Sequence, residues 1–341
     1  MQQICYQDKI GISLIICFYN AERKLKPTIK HILALNQSQL QTELILVNNN
    51  STDQSENVIH EVLEDADIDW KLVREPIPGL ANARICGIKN SKYVTMLFVD
   101  DDNWLDVNYL QIGWQILKDN NQIGVLGGIG KAVSDVQIPE WLEKNENYYA
   151  VGPQMPNSGE VKGSRNMVYG AGMFVQRSCF NILIENGFKF NAIGRTKSSL
   201  TSGEDSEMCL AMKIAGFQIW YDSRLTFKHY ISPERLTLKY LKKLKRGISS
   251  SGFVSRFYRF FLLDAYTPKV GKHFWFKEAL YSIKNITDLA FKFSFGHQFR
   301  FFWKYILFLF KRRGKFDLDV TNLLIVCQNL KRQRIKKNPN H

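Results

Sequence analysis

Four short apolar runs in the first 120 residues, each followed by an amphipathic segment, constrain the fold more than any other feature of the chain. Runs of this kind are typical of buried strands, and the segments that follow place their apolar residues on one helical face. Four strand-helix units in succession predict an α/β fold with a mostly parallel sheet flanked by helices. The predicted strands are 12–17, 43–47, 70–73 and 93–99, and the predicted helices lie near 21–35, 55–64, 80–90 and 104–120.

Beyond residue 120 the alternation is less regular. Further strands are predicted at 124–128, 167–175 and 217–222, and a helix at 204–216 that ends at Gly216. Two polar stretches, residues 134–165 and 189–203, are longer than ordinary connections, which favours functional loops.

Three consecutive aspartates, Asp100, Asp101 and Asp102, come directly after the fourth predicted strand. Ligands of parallel α/β sheets bind at the carboxyl ends of the strands. Adjacent carboxylates repel one another unless a cation lies among them, and Mg²⁺ and Mn²⁺ prefer oxygen ligands. The triplet therefore predicts a divalent metal site. The alternative is a solvated turn with a helix N-cap, because Asp102 and Asn103 precede an apolar helix.

Two common phosphate-binding motifs are absent from the sequence. No GxGxxG follows the first predicted strand, and no GxxxxGK[ST] occurs anywhere in the chain. Their absence weighs against a dinucleotide oxidoreductase and a P-loop NTPase. With the aspartates at a strand end, it favours a nucleoside diphosphate that is bound through a metal.

The positive charge of the chain is confined to its C-terminal third. Residues 1–223 contain 20 Lys and Arg against 26 Asp and Glu, whereas residues 224–341 contain 26 against 6. Within residues 233–315 the basic side chains alternate with aromatic and apolar ones, as in helices that lie on anionic membranes. Nucleic acid is bound by the same residue types, and a helical subdomain with a solvated basic face is a third possibility. We therefore predict a catalytic domain at 1–232 and a basic, aromatic-rich helical region at 233–341.

Cellular location is indicated by the cysteines and by the apolar segments. The six cysteines form no CxxC pair, and several lie in apolar runs, which indicates a reducing environment. The N-terminus has no basic leader with a sustained apolar stretch, and the apolar cluster 301–310 is too short to cross a bilayer. We expect a cytoplasmic protein.

Five segments, in this order and spacing, resemble the family 2 glycosyltransferases of bacterial polysaccharide and lipopolysaccharide synthesis. They are "ISLIICFYNAERKLKPTIKHIL", "ELILVNNNSTD", "GLANARICGI", "LFVDDDNW" and "SGEDSEM". The resemblance covers roughly residues 10–240 and implies the nucleotide-sugar-binding GT-A fold.

The resemblance implies roles for the donor side of the site. Asp100, Asp101 and Asp102 match the DxD element, which contacts the ribose and the metal-bound diphosphate, so Asp102 is expected to bind Mn²⁺ or Mg²⁺ directly. Some members have a further histidine ligand, which His229 would supply. Arg84 matches the arginine near the donor pyrophosphate or base.

Two positions depart from the family pattern. Asn48 and Asn49 stand where the family has acidic residues that contact the nucleotide base. An amide donates to and accepts from a pyrimidine edge, so both remain candidates for base binding. The alternative is that the Asn run only builds a turn.

The segment "SGEDSEM" matches the family motif whose carboxylate removes the proton of the acceptor hydroxyl. The resemblance gives this role of general base to Asp205, with Glu204 as the neighbouring alternative. Without the other motifs, the acidic residues here would be explained by the helix dipole alone.

The resemblance implies a metal-dependent, inverting transfer of sugar from a nucleotide-sugar donor, a UDP-sugar above all, to a saccharide or lipid-linked acceptor in cell-surface polysaccharide synthesis. Lipid-linked acceptors favour an anionic membrane surface over nucleic acid as the partner, so we expect a peripheral protein at the inner face of the membrane. The alternatives are a nucleotidyltransferase and a non-catalytic membrane- or nucleic-acid-binding adaptor.

Overall fold

The computed structural model describes residues 9–163, 165–192, 194–195, 202–262 and, apart from residue 324, 322–334. The chain divides into two compact units, Met1–Ser255 and Arg256–His341. The first unit contains the whole sheet. In the second, the described residues are the last turns of a helix, 256–262, and a further helical segment whose buried side chains are Leu323, Val326, Cys327 and Leu330.

Strands and helices alternate through the first half of the chain. They are β1 (Lys9–Phe18), α1 (Glu22–Leu33), β2 (Thr42–Asn48), α2 (Ser55–Leu63), β3 (Trp70–Arg74), α3 (Leu80–Asn90), β4 (Tyr93–Asp100), β5 (Asn103–Leu105) and α4 (Tyr109–Asp119). The second half contains β6 (Ile123–Val133), a 3₁₀ helix (Glu140–Tyr149), β7 (Gly159–Glu160), β8 (Met173–Gln176), α5 (Arg177–Glu185), α6 (Glu204–Ile214), β9 (Gln218–Tyr230), a 3₁₀ turn (Pro233–Arg235) and α7 (Leu238–Leu262).

One mixed sheet organises the fold, with strand order β3-β2-β1-β4-β8-β6-β9-β5 and with β7 paired to β9. The first four strands in this order are parallel, as the strand-helix units predict. Strand β8 is antiparallel to both β4 and β6, whereas β6 and β9 are parallel. The predicted α/β fold with a central sheet flanked by helices is confirmed, and its second half mixes strand directions.

Helices cover both faces of the parallel strands. On one face α1, α2 and α4 bury apolar side chains against alternate residues of β1, β2 and β4, such as Leu14, Leu46 and Leu97. On the other face α3 approaches β1 so closely that a Cβ at Gly87 would lie 2.4 Å from a methyl group of Ile15. The parallel strands are therefore mostly apolar on both faces, with buried polar exceptions such as Ser13 and Thr95.

The structure differs from the predicted elements at two places near the site. The predicted helix 104–120 begins only at Tyr109, because Asn103–Leu105 form the short strand β5, which pairs with β9. Helix α5 lies in a stretch for which the sequence analysis predicts no helix. The apolar cluster 301–310 lies outside the described residues. Among the described residues, no helix combines the length and apolar surface that a bilayer crossing requires.

Candidate active site

A cavity of about 440 Å³ opens at the carboxyl ends of β1, β2 and β4. One part of its wall is apolar, and the other is charged. The apolar part includes Phe18, Tyr19, Pro78 and Leu80. The charged part contains five acidic side chains, Asp100, Asp101, Asp102, Glu204 and Asp205, and four basic ones, Lys24, Arg84, Arg195 and Arg235.

Helix α1 fixes the turn formed by Asp100, Asp101 and Asp102, called the aspartate turn below. Lys24 Nζ lies 2.6 Å from Asp101 Oδ1, and Thr28 Oγ1 donates a hydrogen bond to the Asp101 carbonyl at 2.8 Å. Burial raises the pKa of Asp101, and the charge of Asp102 adds to that effect against the opposing influence of Lys24. Asp101 is thus tied to α1 while it also lines the cavity.

Asp102 lies among three basic side chains. Its Oδ2 lies 3.0 Å from Arg235 Nη1 and 3.7 Å from Lys24 Nζ, and its Oδ1 lies 3.3 Å from His229 Nε2. Burial alone would raise its pKa, but His229, Lys24 and Arg235 together hold the pKa of Asp102 well below its usual range. The carboxylate is 5% exposed and caps no helix, since α4 begins seven residues later. The solvated-turn alternative is therefore wrong.

His229 lies within β9 and not after it. It pairs with Asn103 of β5, which brings its ring next to Asp102, although His229 is not itself among the residues that line the cavity. Its Nε2 faces Asp102 Oδ1, and its Nδ1 is buried without a hydrogen-bond partner in the described part of the chain.

Arg84 connects the two acidic segments of the site. Its side chain is 3% exposed, with Nη1 3.2 Å from Glu204 Oε1 and Nη2 3.8 Å from Asp100 Oδ1. The ring of Phe98 lies 5.2 Å from its guanidinium carbon. Burial raises the pKa of Glu204, with Arg84 opposing and Asp205 adding to the shift. Glu204 is thus occupied by a buried ion pair.

Asp205 is arranged differently from its neighbour. Its Oδ2 accepts a hydrogen bond from the Gly170 backbone N–H at 2.9 Å, and its Oδ1 accepts one from Ser206 N–H at 2.7 Å. It lines the cavity and has no ion pair among the described residues. A Cβ at Gly170 would lie 2.4 Å from Arg84 Nη2, so this glycine lets the backbone hold Asp205 beside the arginine.

The two asparagines in the base-binding positions hold the chain instead of leaving their amides open. Asn49 Nδ2 donates to the carbonyls of Glu75 and Ile77, and its Oδ1 accepts from Gly79 N–H. Asn48 Nδ2 donates to Glu56 Oε1 at 2.6 Å, and its Oδ1 accepts from Ser51 N–H. Asn49 still lines the cavity, whereas Asn48 lines a smaller neighbouring one of about 310 Å³. A carboxylate at either position would face the oxygen atoms to which these amide groups now donate. This explains why both residues are asparagines.

Glu56 is expected to make stability depend on pH. Hydrogen bonds from Arg74 and Asn48 lower the pKa of Glu56 from 4.5 to about 2. A depressed pKa contributes stability that is fully present above pH 4.5 and is lost as the pH falls through about 2. We expect Glu56→Gln to lower the free energy of unfolding at pH 6 by about 1–2 kcal/mol, allowing for solvent screening.

Urea unfolding between pH 6 and pH 2.5 measures this effect. The difference in the free energy of unfolding between wild type and Glu56→Gln should become smaller as the pH falls. Glu64→Gln, which removes an exposed carboxylate at the end of the same helix, serves as the matched control. A gap for Glu56→Gln that stays constant over this range would contradict the assignment.

The structure places most of the predicted site residues together. Arg84, Asp100, Asp101, Asp102, Glu204 and Asp205 line one cavity, with Asn49 at its wall. Lys24, Arg235 and Tyr240 also line it and were missed by the sequence analysis. Lys24 is near the start of the helix after β1, a position that faces the strand ends, whereas Arg235 has no signal beyond following the last strand. Both missed cations contact Asp102.

The mixed α/β sheet has acidic side chains at the carboxyl ends of its parallel strands, which is where ligands of such sheets bind. Residues 13–181 match the model of glycosyl transferase family 2. Residues 13–181 therefore form a glycosyl transferase family 2 domain.

Two curated relatives each match about a third of the chain. The putative glycosyltransferase EpsH of Bacillus subtilis is 27% identical over 101 residues, which are 30% of this chain and 28% of EpsH. The poly-beta-1,6-N-acetyl-D-glucosamine synthase of Staphylococcus aureus is 26% identical over 118 residues, which are 35% of this chain and 28% of the synthase. The chain thus matches less than a third of the length of either relative.

Solved structures share the fold at low sequence identity. S. aureus TarS 1–349 in complex with UDP-GlcNAc superposes with a TM-score of 0.50 at 14% identity, covering 72% of this chain and 75% of TarS. GalNAc-T7 with UDP, GalNAc and Mn²⁺ gives a TM-score of 0.51 at 14% identity, covering 70% of this chain and 48% of GalNAc-T7. These similarities establish the GT-A fold.

Proposed function

We propose that the protein is a metal-dependent, inverting glycosyltransferase that moves a sugar from a UDP-sugar to a hydroxyl group of a saccharide or lipid-linked acceptor. The observation that carries the proposal is a single cavity that joins the aspartate turn of β4 to Asp205 at the start of α6. The UDP-GlcNAc bound to TarS and the UDP bound to GalNAc-T7 support uracil as the base of the donor. The synthase named among the relatives supports a role in polysaccharide synthesis.

The two parts of the cavity wall suit the two parts of a nucleotide-sugar. The apolar part, with Phe18 and Tyr19 at the end of β1, suits a flat base. The charged part suits a diphosphate best when a cation is added. With five acids and four bases its formal charge is −1, and Arg84 and Lys24 are already paired. Charge balance therefore favours a divalent ion between the protein and the diphosphate.

The side chains at Asp102 fit such an ion. Two adjacent ligands about 2.1 Å from one ion lie about 3 Å apart, and Asp102 Oδ1 and His229 Nε2 are 3.3 Å apart. The described side chains offer two donors here rather than three or more, so oxygens of the diphosphate would complete the shell. Asp102 and His229 would hold Mn²⁺ or Mg²⁺, which stabilises negative charge on the departing diphosphate.

The base is Asp205 rather than Glu204 in this proposal. Asp205 faces the cavity, and its two hydrogen bonds from Gly170 and Ser206 fix the direction of its carboxylate. Glu204 is committed to Arg84. The acceptor oxygen attacks the anomeric carbon, the bond from that carbon to the diphosphate oxygen breaks, and Asp205 takes the acceptor proton. A single displacement converts an α-linked donor into a β-linked product.

The two alternative functions have less support. A nucleotidyltransferase uses paired acids and metal on a similar sheet, but it also needs a glycine-rich or basic activating loop after β1, and "CFYNAERKLK" has no glycine. A non-catalytic adaptor would have no need of the buried network that positions Asp102, Arg84 and Asp205 around one cavity.

We also propose that the first turns of α7 contact an anionic membrane surface. Lys239, Lys242, Lys243 and Arg246 are exposed and follow helical spacing, while Leu241 and Leu244 pack against the 3₁₀ helix 140–149. This basic stripe supports a peripheral position at the inner face of the cell membrane. Most of the basic, aromatic region 233–315 lies outside the described residues.

Vesicle sedimentation tests the basic stripe. Changing Lys239, Lys242 and Lys243 to Gln is expected to weaken binding to anionic vesicles about 100-fold, at about 1 kcal/mol for each lysine. Changing the exposed Lys30, Lys118 and Lys144 to Gln removes the same charge elsewhere and is the control. Equal binding by the two triple variants would rule the stripe out.

A thermal-shift screen tests the function itself. The protein is mixed with UDP, GDP, dTDP or CDP, each with Mn²⁺, Mg²⁺ or EDTA. We expect UDP with a divalent ion to raise the melting temperature most. No shift with any nucleotide would contradict the proposed function and favour the adaptor.

A further inference from the structure

Arg235 occupies a fixed position at the charged end of the cavity. It lies in the 3₁₀ turn that follows β9, and its backbone carbonyl accepts a hydrogen bond from Tyr149 Oη at 2.8 Å. Its Nη1 donates to Asp102 Oδ2 at 3.0 Å. Contacts at both backbone and side chain therefore hold the guanidinium beside the aspartate turn.

Most hydrogen-bonding capacity of Arg235 is unused. A guanidinium has five N–H donors, yet Nε and Nη2 of Arg235 are buried and have no hydrogen-bond partner within the described part of the chain. Buried donors without partners are costly, and native structures retain few of them. Tyr240, whose ring lies 5.7 Å from the guanidinium carbon, lines the cavity beside it. Arg235 itself lines the cavity, so an oxyanion at this end would meet these donors once the guanidinium turns toward it.

The order of the strands indicates which oxyanion this is. Phe18, which lines the cavity, is the last residue of β1, and β4, β8, β6 and β9 follow in the sheet. A nucleotide with its base at Phe18 and Tyr19 extends past Asp100 at the end of β4. Its distal phosphate is the group that then approaches Arg235, which follows β9.

We propose that Arg235 binds the distal phosphate of the nucleoside diphosphate, so that the protein distinguishes diphosphate from monophosphate even without a metal ion. This inference rests on the proposed function. A planar fork of donors matches a phosphate in two-point contact, which an ammonium group does not reproduce. Lys24, already 2.6 Å from Asp101, adds charge but no comparable free donors.

Calorimetric titration of the full chain with UDP and with UMP, each in EDTA and in Mn²⁺, tests the inference. Arg235→Gln is expected to weaken UDP binding in EDTA about 10- to 100-fold and to leave UMP binding within about twofold of wild type. Arg235→Lys retains the charge, and its preference for UDP over UMP should be about 3- to 10-fold lower than that of the wild type. Arg332→Gln removes an exposed arginine outside the cavity and should change the binding of neither ligand.

Each outcome decides the inference. A selective loss of UDP binding in both Arg235 variants supports it. The inference is overturned, while the proposed function stands, if Arg235→Gln loses UDP binding and UMP binding equally. It is also overturned if Arg235→Lys keeps the wild-type preference for UDP over UMP and the wild-type melting temperature. A wild-type protein that binds none of these nucleotides in Mn²⁺ overturns the proposed function as well.

Discussion

Asp205→Asn is expected to lower the rate of sugar transfer about 10²- to 10⁴-fold, because the acceptor hydroxyl loses the group that takes its proton. Nucleotide binding should be retained, since Asp205 contacts Gly170 and Ser206 rather than the aspartate turn. Release of UDP from a panel of UDP-sugars measures the rate, with water as the acceptor until the natural acceptor is identified.

Glu204→Gln is the matched control for Asp205→Asn. This change leaves the buried Arg84 with a weaker partner, so the melting temperature should fall together with activity. Asp205→Asn should affect activity more than stability. Wild-type turnover in Asp205→Asn, with turnover abolished in a well-folded Glu204→Gln, would transfer the role of base to Glu204.

Asp102→Ala is expected to abolish the part of nucleotide binding that depends on a divalent ion. The same change removes the anion that Arg235, His229 and Lys24 surround, so the free energy of unfolding should fall by about 3–5 kcal/mol. Titration with UDP in Mn²⁺ and in EDTA separates the two effects. The affinities in the two conditions should become equal in the variant.

Asp102→Asn is the second variant, because it keeps the shape of the side chain. It should lose the Mn²⁺-dependent part of the binding with a smaller loss of stability. If Mn²⁺ increases the UDP affinity of both variants as much as it does that of the wild type, Asp102 is not a metal ligand.

Local patterns suffice for the parallel half of the fold. Each of the strands β1 to β4 is a short apolar run with its own helix, so periodicity locates it. Strand β5 and the late start of α4 depend on pairing with β9, more than a hundred residues away. Periodicity carries no information on such pairing, so the sequence predicts a helix from Trp104 onward where the structure has β5.

The candidate site divides in the same way. The aspartate turn, Arg84 and Asp205 belong to segments with family motifs, and the cavity brings them together. The family motif makes Asn49 a candidate for base binding. Its three hydrogen bonds to Glu75, Ile77 and Gly79 depend on the tertiary structure, so the motif does not indicate them. Arg235 reaches Asp102 across 133 positions of sequence, which no local pattern indicates.

A crystal structure of the protein with UDP and Mn²⁺, with anomalous data collected for manganese, tests the central claim most directly. We predict a manganese peak between Asp102 and His229, the uracil against Phe18 and Tyr19, and the diphosphate between them with its distal phosphate at Arg235. Nucleotide bound elsewhere, or manganese at a site without Asp102, would contradict the account.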